Sequence, residues 1–385
     1  MSAPSVFFYV QHLLGIGHLA RASRIARAIM DNGMTVTLVT GGMPVAGFPD
    51  DDIPHIALPP VAAGDAAFKG LLMATGLPAD DTYLSQRKAM LLDAFHAAKP
   101  DIVMIEAFPF GRKQMRFELI PLLDAVAASH PRPALVTSVR DILQRRGRAD
   151  RDQETVDIIR KHFDLVLIHG DPTFAAFGDS FPFADQIADR VVYTGLVVPP
   201  PPTAATEQFD VIVSAGGGAV GTDLINSAVE AAALMPDLKK WCIITGPNRP
   251  QVEFDQLRKS VSPNVNLARF RPDLASLMTG ARLSVSQAGY NTVGDILQSG
   301  CNAIVVPYAG QGETEQMDRA MRLSEIGRVA MLRDTALSGS SLVAAIRLAL
   351  ITPTSLNLLP IAIDGAARTA QLLNQLRSGP IGERF

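Results

Sequence analysis

Residues 14–21 read LGIGHLAR, directly after the apolar run SVFFYV. Gly15 and Gly17 let the chain turn sharply, and His18 then stands at the start of the helix that follows. A neutral imidazole at a helix N-terminus has its pKa lowered by the dipole, so it stays available as a general base. With Ala20 in the third place, the spacing also satisfies the permissive G-x-G-x-x-G/A pattern of dinucleotide sites. Such a site needs an acidic residue about 20 positions further on, at the end of the second strand, to bind the ribose. Here that strand ends TLVTGGMP, with no Asp or Glu. The loop is therefore read as one that aims His18, with Arg21 beside it, rather than as a cradle for NAD.

Better phosphate chemistry lies in the second half. VIVSAGGGAVGTDLINSAVEAA, residues 211–232, gives a strand, Gly216, Gly217 and Gly218 in a row, Gly221 and then a helix. Successive backbone N–H groups near a helix N-terminus form an anion cradle. The Lys-Ser/Thr of a P-loop is missing, which argues against Walker-type hydrolysis. Residues 283–320 add a second glycine loop, Gln287 to Gly289, opening a helix that carries Asp295 and stops at Gly300. Asp295 offers two acceptor oxygens to a ribose diol, and Glu315 with Gln316, in the first turn of a later helix, offers partners to sugar hydroxyls.

The elements that must position these groups are legible as short apolar runs alternating with helical patterns, the signature of parallel α/β architecture. In the first half SVFFYV, TVTLVT, DIVMIEA, ALVTSV and DLVLIHG are expected strands. In the second half DVIVSAG, WCIITG, VNLARF, LSVSQAG and NAIVVPY are. None alternates cleanly, as expected where both faces of a sheet are covered. Between the first two strands Leu19, Ile25, Ala28 and Ile29 share one helical face, and Gly33 supplies a left-handed stop. Four prolines in GLVVPPPPTAATEQ cannot join a sheet or helix interior and mark a semi-rigid linker. The expected organisation is an N-terminal domain over 1–196, a linker over 197–208, a C-terminal domain over 209–362, and a final helix over 363–385 that crosses back to the first domain.

The bulk numbers fit this plan. The chain has 385 residues, 48% hydrophobic and 19% charged, too long for one ordinary core and too apolar for disorder. A net charge of −3 predicts no general attraction to nucleic acid. Cys242 and Cys301 sit far apart in apolar, strand-like contexts, as buried thiols of a reducing compartment. No uncharged apolar run reaches the roughly 18 to 20 residues that span a bilayer, and no signal peptide is evident, so a cytoplasmic location is expected.

Residues 283–320 resemble the nucleotide-sugar domain of GT-B glycosyltransferases, and above all the bacterial N-acetylglucosaminyltransferases of lipid II synthesis. The resemblance implies two Rossmann-like parallel-sheet domains facing each other across a cleft. It implies that the loop Ser286, Gln287, Ala288, Gly289, Asn291 and Thr292, with Asp295, holds the donor's phosphates and ribose. Glu315–Gln316 would then read the sugar, and backbone near Phe270–Arg271 the base. The family's first glycine loop ends in Gly-His, matched by Gly17–His18. The segment GIGHLARASRIARAI is also similar to one in the nucleotide-sugar hydrolase of pseudaminic acid synthesis, where the histidine serves a water nucleophile. Asp295 stands where the lipid II enzyme has Glu, and Arg21 near where its loop has proline.

The expected activity is inverting, metal-independent transfer from a nucleotide-sugar, expected to be UDP-linked, to an acceptor hydroxyl, with no cofactor beyond that substrate, with His18 as base and the Gly216–Gly218 and Gly289–Thr292 amides stabilising the leaving diphosphate. Glu106, at the end of a strand in EAFPFGRKQ, orients His18, serves as an alternative base, or is a structural carboxylate. The run RDILQRRGRADRDQE holds Arg140, Arg145, Arg146, Arg148 and Arg151. It reads either as a solvated segment or as a patch for an anionic acceptor or membrane surface, with Arg140 at a strand end facing the acceptor, where Gly15, Gly17 and Arg21 are also expected. Asp150 and Asp152 have the letters of a metal motif but are expected in a solvated loop. The alternatives are a nucleotide-sugar hydrolase and a non-catalytic nucleotide-sugar-binding subunit. The acceptor is left open.

Overall fold

Apolar runs that do not alternate become strands buried on both faces, and they organise two separate sheets. The computed structural model describes residues 3–13, 15–64, 70–145, 147, 149–216, 221–246, 249–352 and 360–376. The chain divides into two units, Met1–Val197 with Ile361–Phe385, and Val198–Pro360.

The first unit runs β1 (Ser5–Val10), α1 (Gly17–Asp31), β2 (Thr35–Thr40), β3 (His55–Ala57), β4 (Val61–Ala63), β5 (Leu71–Met73), α2 (Asp81–Ala98) and β6 (Ile102–Glu106). It continues through α3 (Arg116–Ala128), β7 (Ala134–Arg140), α4 (Ala149–His162), β8 (Leu165–His169) and β9 (Val191–Tyr193). Its main sheet has the order β3-β2-β1-β6-β7-β8-β9 with every neighbour parallel. Successive residues of β1 point to opposite faces, and both faces are core. Phe7 and Tyr9 pack with Leu91 of α2 and Leu119 of α3, whereas Val6, Phe8 and Val10 pack with Ile25 and Ile29 of α1.

The second unit runs β10 (Val211–Ser214), α5 (Thr222–Leu234), β11 (Trp241–Ile244), α6 (Gln251–Ser260), β12 (Val265–Ala268), α7 (Leu274–Gly280) and β13 (Leu283–Ser286). It continues through α8 (Tyr290–Ser299), β14 (Ala303–Val305), α9 (Glu315–Glu325), β15 (Ala330–Met331) and α10 (Gly339–Ile351). The strand order is β12-β11-β10-β13-β14-β15, again parallel throughout. The last helix, α11 (Gly365–Leu376), belongs to the first unit and packs on α1, its Leu372 and Leu373 completing that face of the core.

Each sheet reverses strand order once, between β1 and β6 and between β10 and β13. In open parallel sheets the crevice for a ligand forms at that reversal, outside the carboxyl ends of the strands.

Two local readings change. The proline-rich stretch is not a free-standing spacer, since from Val198 onward it is seated on the second unit. Val198 packs on Gly294, Ala205 on Gly280, and Thr203 Oγ1 lies 3.0 Å from Ser276 Oγ. A rigid extended segment loses little further entropy when laid on a surface, which suits this use. Asp150 and Asp152 lie in the first turn of α4 rather than in a loop, where carboxylates complement the helix dipole.

Candidate functional site

In the first unit, β1 delivers its loop to α1 at the strand reversal, and β6, the neighbouring strand, ends at Glu106. His18 Nδ1 lies 2.9 Å from Glu106 Oε1. Arg21, one turn further along α1, donates from Nη2 to the same oxygen, and Ser138 Oγ donates to Oε2. Glu106 is wholly buried, Arg21 is 2% exposed, and the His18 side chain is 18% exposed. Burial alone would raise the Glu106 carboxyl. The Arg21 charge, then the hydrogen bonds from His18 and Ser138, outweigh it and hold the group ionised far below the usual carboxylate range. Arg21 Nη2 also lies 3.2 Å from Nδ1, but a carboxylate only accepts, so the shorter contact with Glu106 puts the imidazole proton on Nδ1 and leaves the lone pair on Nε2. Burial, then the Arg112 charge, keep the His18 ring well below its ordinary pKa, with Arg21 adding to this and Glu106 opposing it.

His18 lines a cavity of about 360 Å³ whose other walls include Arg112, Lys113, Arg140, Gln144 and Arg151. An adjoining trough of about 450 Å³ is lined by Phe110, Leu143, Phe181, Pro182 and Phe183, with Arg145 at its edge. Arg112 takes a left-handed backbone, φ +61°, and its Nε donates to the Gln11 carbonyl at 2.6 Å. Burial, with Arg140 and Arg21 nearby and against the pull of Glu106, brings its guanidinium down to about 10. A cavity lined by this many cations beside a base is suited to an anion-bearing substrate.

The sequence expectations distribute unevenly over this unit. His18 and Arg140 come together at one cavity, as does Arg151 of the basic run, with Glu106 buried behind His18; Arg146 and Arg148 lie outside the described residues. Arg21, expected on the acceptor side, lines this same cavity and also donates to the buried Glu106, which needs a counter-charge. Gly17 is the first residue of α1, while Gly15 has no described atom within 4 Å of where a Cβ would stand, so packing does not demand glycine there. Arg112, Ser138 and His169 were missed. A second buried ionic group, Arg87 with Glu118, was missed too. Arg87 donates to both Glu118 oxygens and to the carbonyls of Gly41 and Pro59, so it ties loops together.

In the second unit the strand reversal is flanked by Gly216 after β10 and by Ser286–Gly289 after β13. Gly216 has φ +73°, its N–H donates to Ser214 Oγ at 3.3 Å, and a Cβ added to it would stand 3.9 Å from Gln287 Oε1. Gly217 and Gly218 lie outside the described residues. Gly289 is the N-cap of α8 and supplies no side-chain cap. Ser286 Oγ is buried without a hydrogen-bond partner among the described residues. Asn291, Thr292 and Asp295 are half-buried in the first two turns of α8. Gln316 Oε1 accepts from the backbone N–H of Ala288 and of Tyr308, each at 3.2 Å, which leaves its amide NH₂ as the group to offer a ligand.

One donor-side expectation needs correction. Glu315 is 3% exposed and accepts from Arg319 Nη2 at 2.8 Å, while Arg319 also donates to the Ala288 carbonyl at 3.0 Å. A fully buried arginine one turn away claims this carboxylate, so Glu315 holds the loop instead of reading hydroxyls. The Arg271 side chain pairs with Asp273 and Glu207 at 2.7 Å each, which leaves the expectation for the backbone of that stretch untouched, and the exposed group there is Phe270. Among the described residues no group of three or more His, Cys, Asp or Glu side chains is placed to hold a metal, and no helix is long and apolar enough to cross a membrane.

The profile of the glycosyltransferase family 28 C-terminal domain matches residues 212–361, from β10 to the end of the second unit. Over that span the second unit resembles a family 28 glycosyltransferase C-terminal domain. Similar proteins include the UDP-N-acetylglucosamine–N-acetylmuramyl-(pentapeptide) pyrophosphoryl-undecaprenol N-acetylglucosamine transferases of Thermotoga neapolitana and of an Exiguobacterium species. The first is 28% identical over 173 residues, 45% of this chain and 49% of the relative. The second is 34% identical over 145 residues, 36% and 39%. The chain thus spans about half the length of the curated relatives it matches, or less. Among solved structures, Acinetobacter baumannii MurG superposes with a TM-score of 0.59 at 15% identity, covering 97% of this chain and 100% of the other. CalG4, the calicheamicin glycosyltransferase, gives 0.60 at 15%, covering 99% and 96%. At that identity the likeness establishes the fold, and the fold is GT-B, two parallel-sheet α/β domains.

Proposed function

We propose that the protein is an inverting, metal-independent glycosyltransferase that moves a sugar from a uridine diphosphate donor to a hydroxyl of an anionic acceptor. The observation that carries this reading is the buried Glu106 fixing the His18 ring, at the strand reversal, on the wall of a cationic cavity. His18 Nε2 takes the proton of the acceptor hydroxyl as its oxygen attacks the anomeric carbon. The bond from that carbon to the diphosphate breaks, and the nucleoside diphosphate leaves. Glu106 stays ionised and stabilises the imidazolium that forms, a contribution typical of an oriented base at about 10²–10⁴-fold. The amides at the start of α8 and after β10 receive the charge developing on the leaving diphosphate.

The uridine assignment is supported by the donor printed in the names of the Thermotoga and Exiguobacterium relatives. The anionic acceptor is supported by Arg112, Arg140 and Arg151 beside His18, and the apolar trough next to them suits an acceptor that also carries a greasy portion. Asp295 binds the ribose, and the Gln316 amide reads the sugar.

Incubating the protein with UDP-N-acetylglucosamine and other UDP-sugars, with and without lipid-linked or soluble phosphate-bearing acceptors, tests the reading. Release of UDP that depends on the acceptor supports transfer. Stoichiometric release of free sugar without any acceptor identifies a hydrolase, and absence of turnover with retained UDP binding identifies a binding subunit.

A further inference from the structure

Behind Glu106 a row of polar side chains crosses the first unit's sheet at the carboxyl ends of four adjacent strands. Glu106 ends β6, Ser138 lies opposite it in register on β7, His169 ends β8, and Thr194 follows β9. Ser138 Oγ lies 2.8 Å from His169 Nε2, and His169 Nδ1 lies 2.8 Å from Thr194 Oγ1. Glu106, Ser138 and His169 are completely buried and Thr194 is 3% exposed. The reaction uses none of the last three directly, and polar groups at such depth are costly unless each finds a partner.

The direction of every proton in the row follows from counting. Glu106 Oε1 already receives Arg21 and His18, so Oε2 depends on Ser138. Ser138 has one proton and spends it there, so the contact with His169 must be a bond donated by Nε2–H. A neutral His169 protonated on Nε2 leaves Nδ1 as an acceptor for the Thr194 hydroxyl. Thr194 Oγ1 is also 3.0 Å from the Gly195 carbonyl. A proton sent there would require His169 to carry two, and burial, assisted by the Arg21 charge and opposed by Glu106, pushes this ring down to about 3. Thr194, His169 and Ser138 therefore all donate towards Glu106, and His18 donates to it from the other side.

We infer that Ser138 and His169 are positioning residues that hold the Glu106 carboxylate in one orientation and thereby keep His18 in the Nδ1–H tautomer with Nε2 open. Removing the Ser138 hydroxyl strands Oε2 without a donor. The carboxylate then turns to share its oxygens differently between Arg21 and His18, and the imidazole loses its single tautomer. The inference rests on the reading of His18 as the base.

The test is nitrogen NMR of the full-length protein labelled with ¹⁵N-histidine, with His18 assigned by its disappearance in His18→Gln. Wild type is expected to show His18 as one neutral tautomer, protonated on Nδ1. Ser138→Ala and His169→Phe are expected to show a mixture at His18, whereas Ser138→Thr and His169→Gln, which keep the donors, restore the single form. In the turnover assay the first pair should lower kcat by about 10–100-fold, the usual scale for residues that orient a reacting group through another. The KM for UDP-N-acetylglucosamine should move less than about twofold, since only the chemical step is touched. A Ser138→Ala protein that is folded, judged by a cooperative thermal transition above the temperature of the measurement, and that retains one His18 tautomer overturns the inference. Wild-type protein with no turnover of any UDP-sugar would instead overturn the functional reading, and the NMR result would still decide the positioning role.

Discussion

The two units share a sheet plan and the place of their candidate sites, yet they build those sites from different materials. At the β1/β6 reversal the working groups are side chains: His18, Glu106 and Arg21, locked by ion pairing and burial. At the β10/β13 reversal they are mostly backbone, the amides near Gly216 and Gly289, while the charged side chains nearby pair among themselves, as Glu315 does with Arg319 and Arg271 with Asp273. Proton transfer needs one group with a tuned affinity for a proton, and only a side chain in a designed environment supplies that. Holding a diphosphate needs several fixed donors, which glycine loops and helix ends supply without ionisable groups. On the proposed reading, the first unit carries the chemistry and the second the binding.

Substitutions separate the two roles. Glu106→Gln leaves Arg21 buried without its counter-charge and is expected to cost about 3–5 kcal/mol in denaturant unfolding, together with loss of most turnover. Glu315→Gln should destabilise on the same scale, because Arg319 is equally buried. Its kinetic signature should be the opposite, a raised KM for UDP-sugar at nearly unchanged kcat. If both variants lose kcat alike, the division of labour fails. Asp295→Asn should weaken UDP binding measured by calorimetry by about tenfold, the scale of one charge-assisted hydrogen bond, and leave kcat at saturating donor intact.

The smallest effect is in pH. His169 falls from an ordinary 6.5 to about 3 on folding, and His18 is lowered as well. The unfolded chain therefore binds protons first as the solution is acidified, so stability is complete above about 6.5 and declines below it towards about 3. Turnover measured on the still-folded protein should not drop as pH passes through 6.5, since His18 remains neutral there under the influence of burial and Arg112. A midpoint for kcat at the ordinary histidine value would contradict the geometry.

The strands, the helices α1 and α8, and the glycine loops were legible because a doubly covered parallel sheet writes itself as unbroken apolar runs punctuated by glycine. His18 and Glu106 were legible because each ends or follows such a run. What was hidden depended on neighbours far along the chain. Ser138 within ALVTSV and His169 at the end of DLVLIHG look like ordinary strand residues until β6, β7 and β8 are placed side by side. Arg112 is hidden because its left-handed turn, in FPFGRKQ, falls on an arginine and not on the adjacent glycine. Glu315 misled for the reverse reason: it occupies the place where a sugar-reading residue is expected, and only the burial of Arg319 reveals that it is already committed.

The central claim, that His18 carries the chemistry and the second unit carries the donor, is tested most directly by one variant measured two ways. For His18→Gln, UDP affinity by calorimetry should match wild type, while acceptor-dependent UDP release should fall by about 10²–10⁴-fold. Turnover retained at the wild-type rate, or UDP affinity lost in parallel with turnover, would contradict the account.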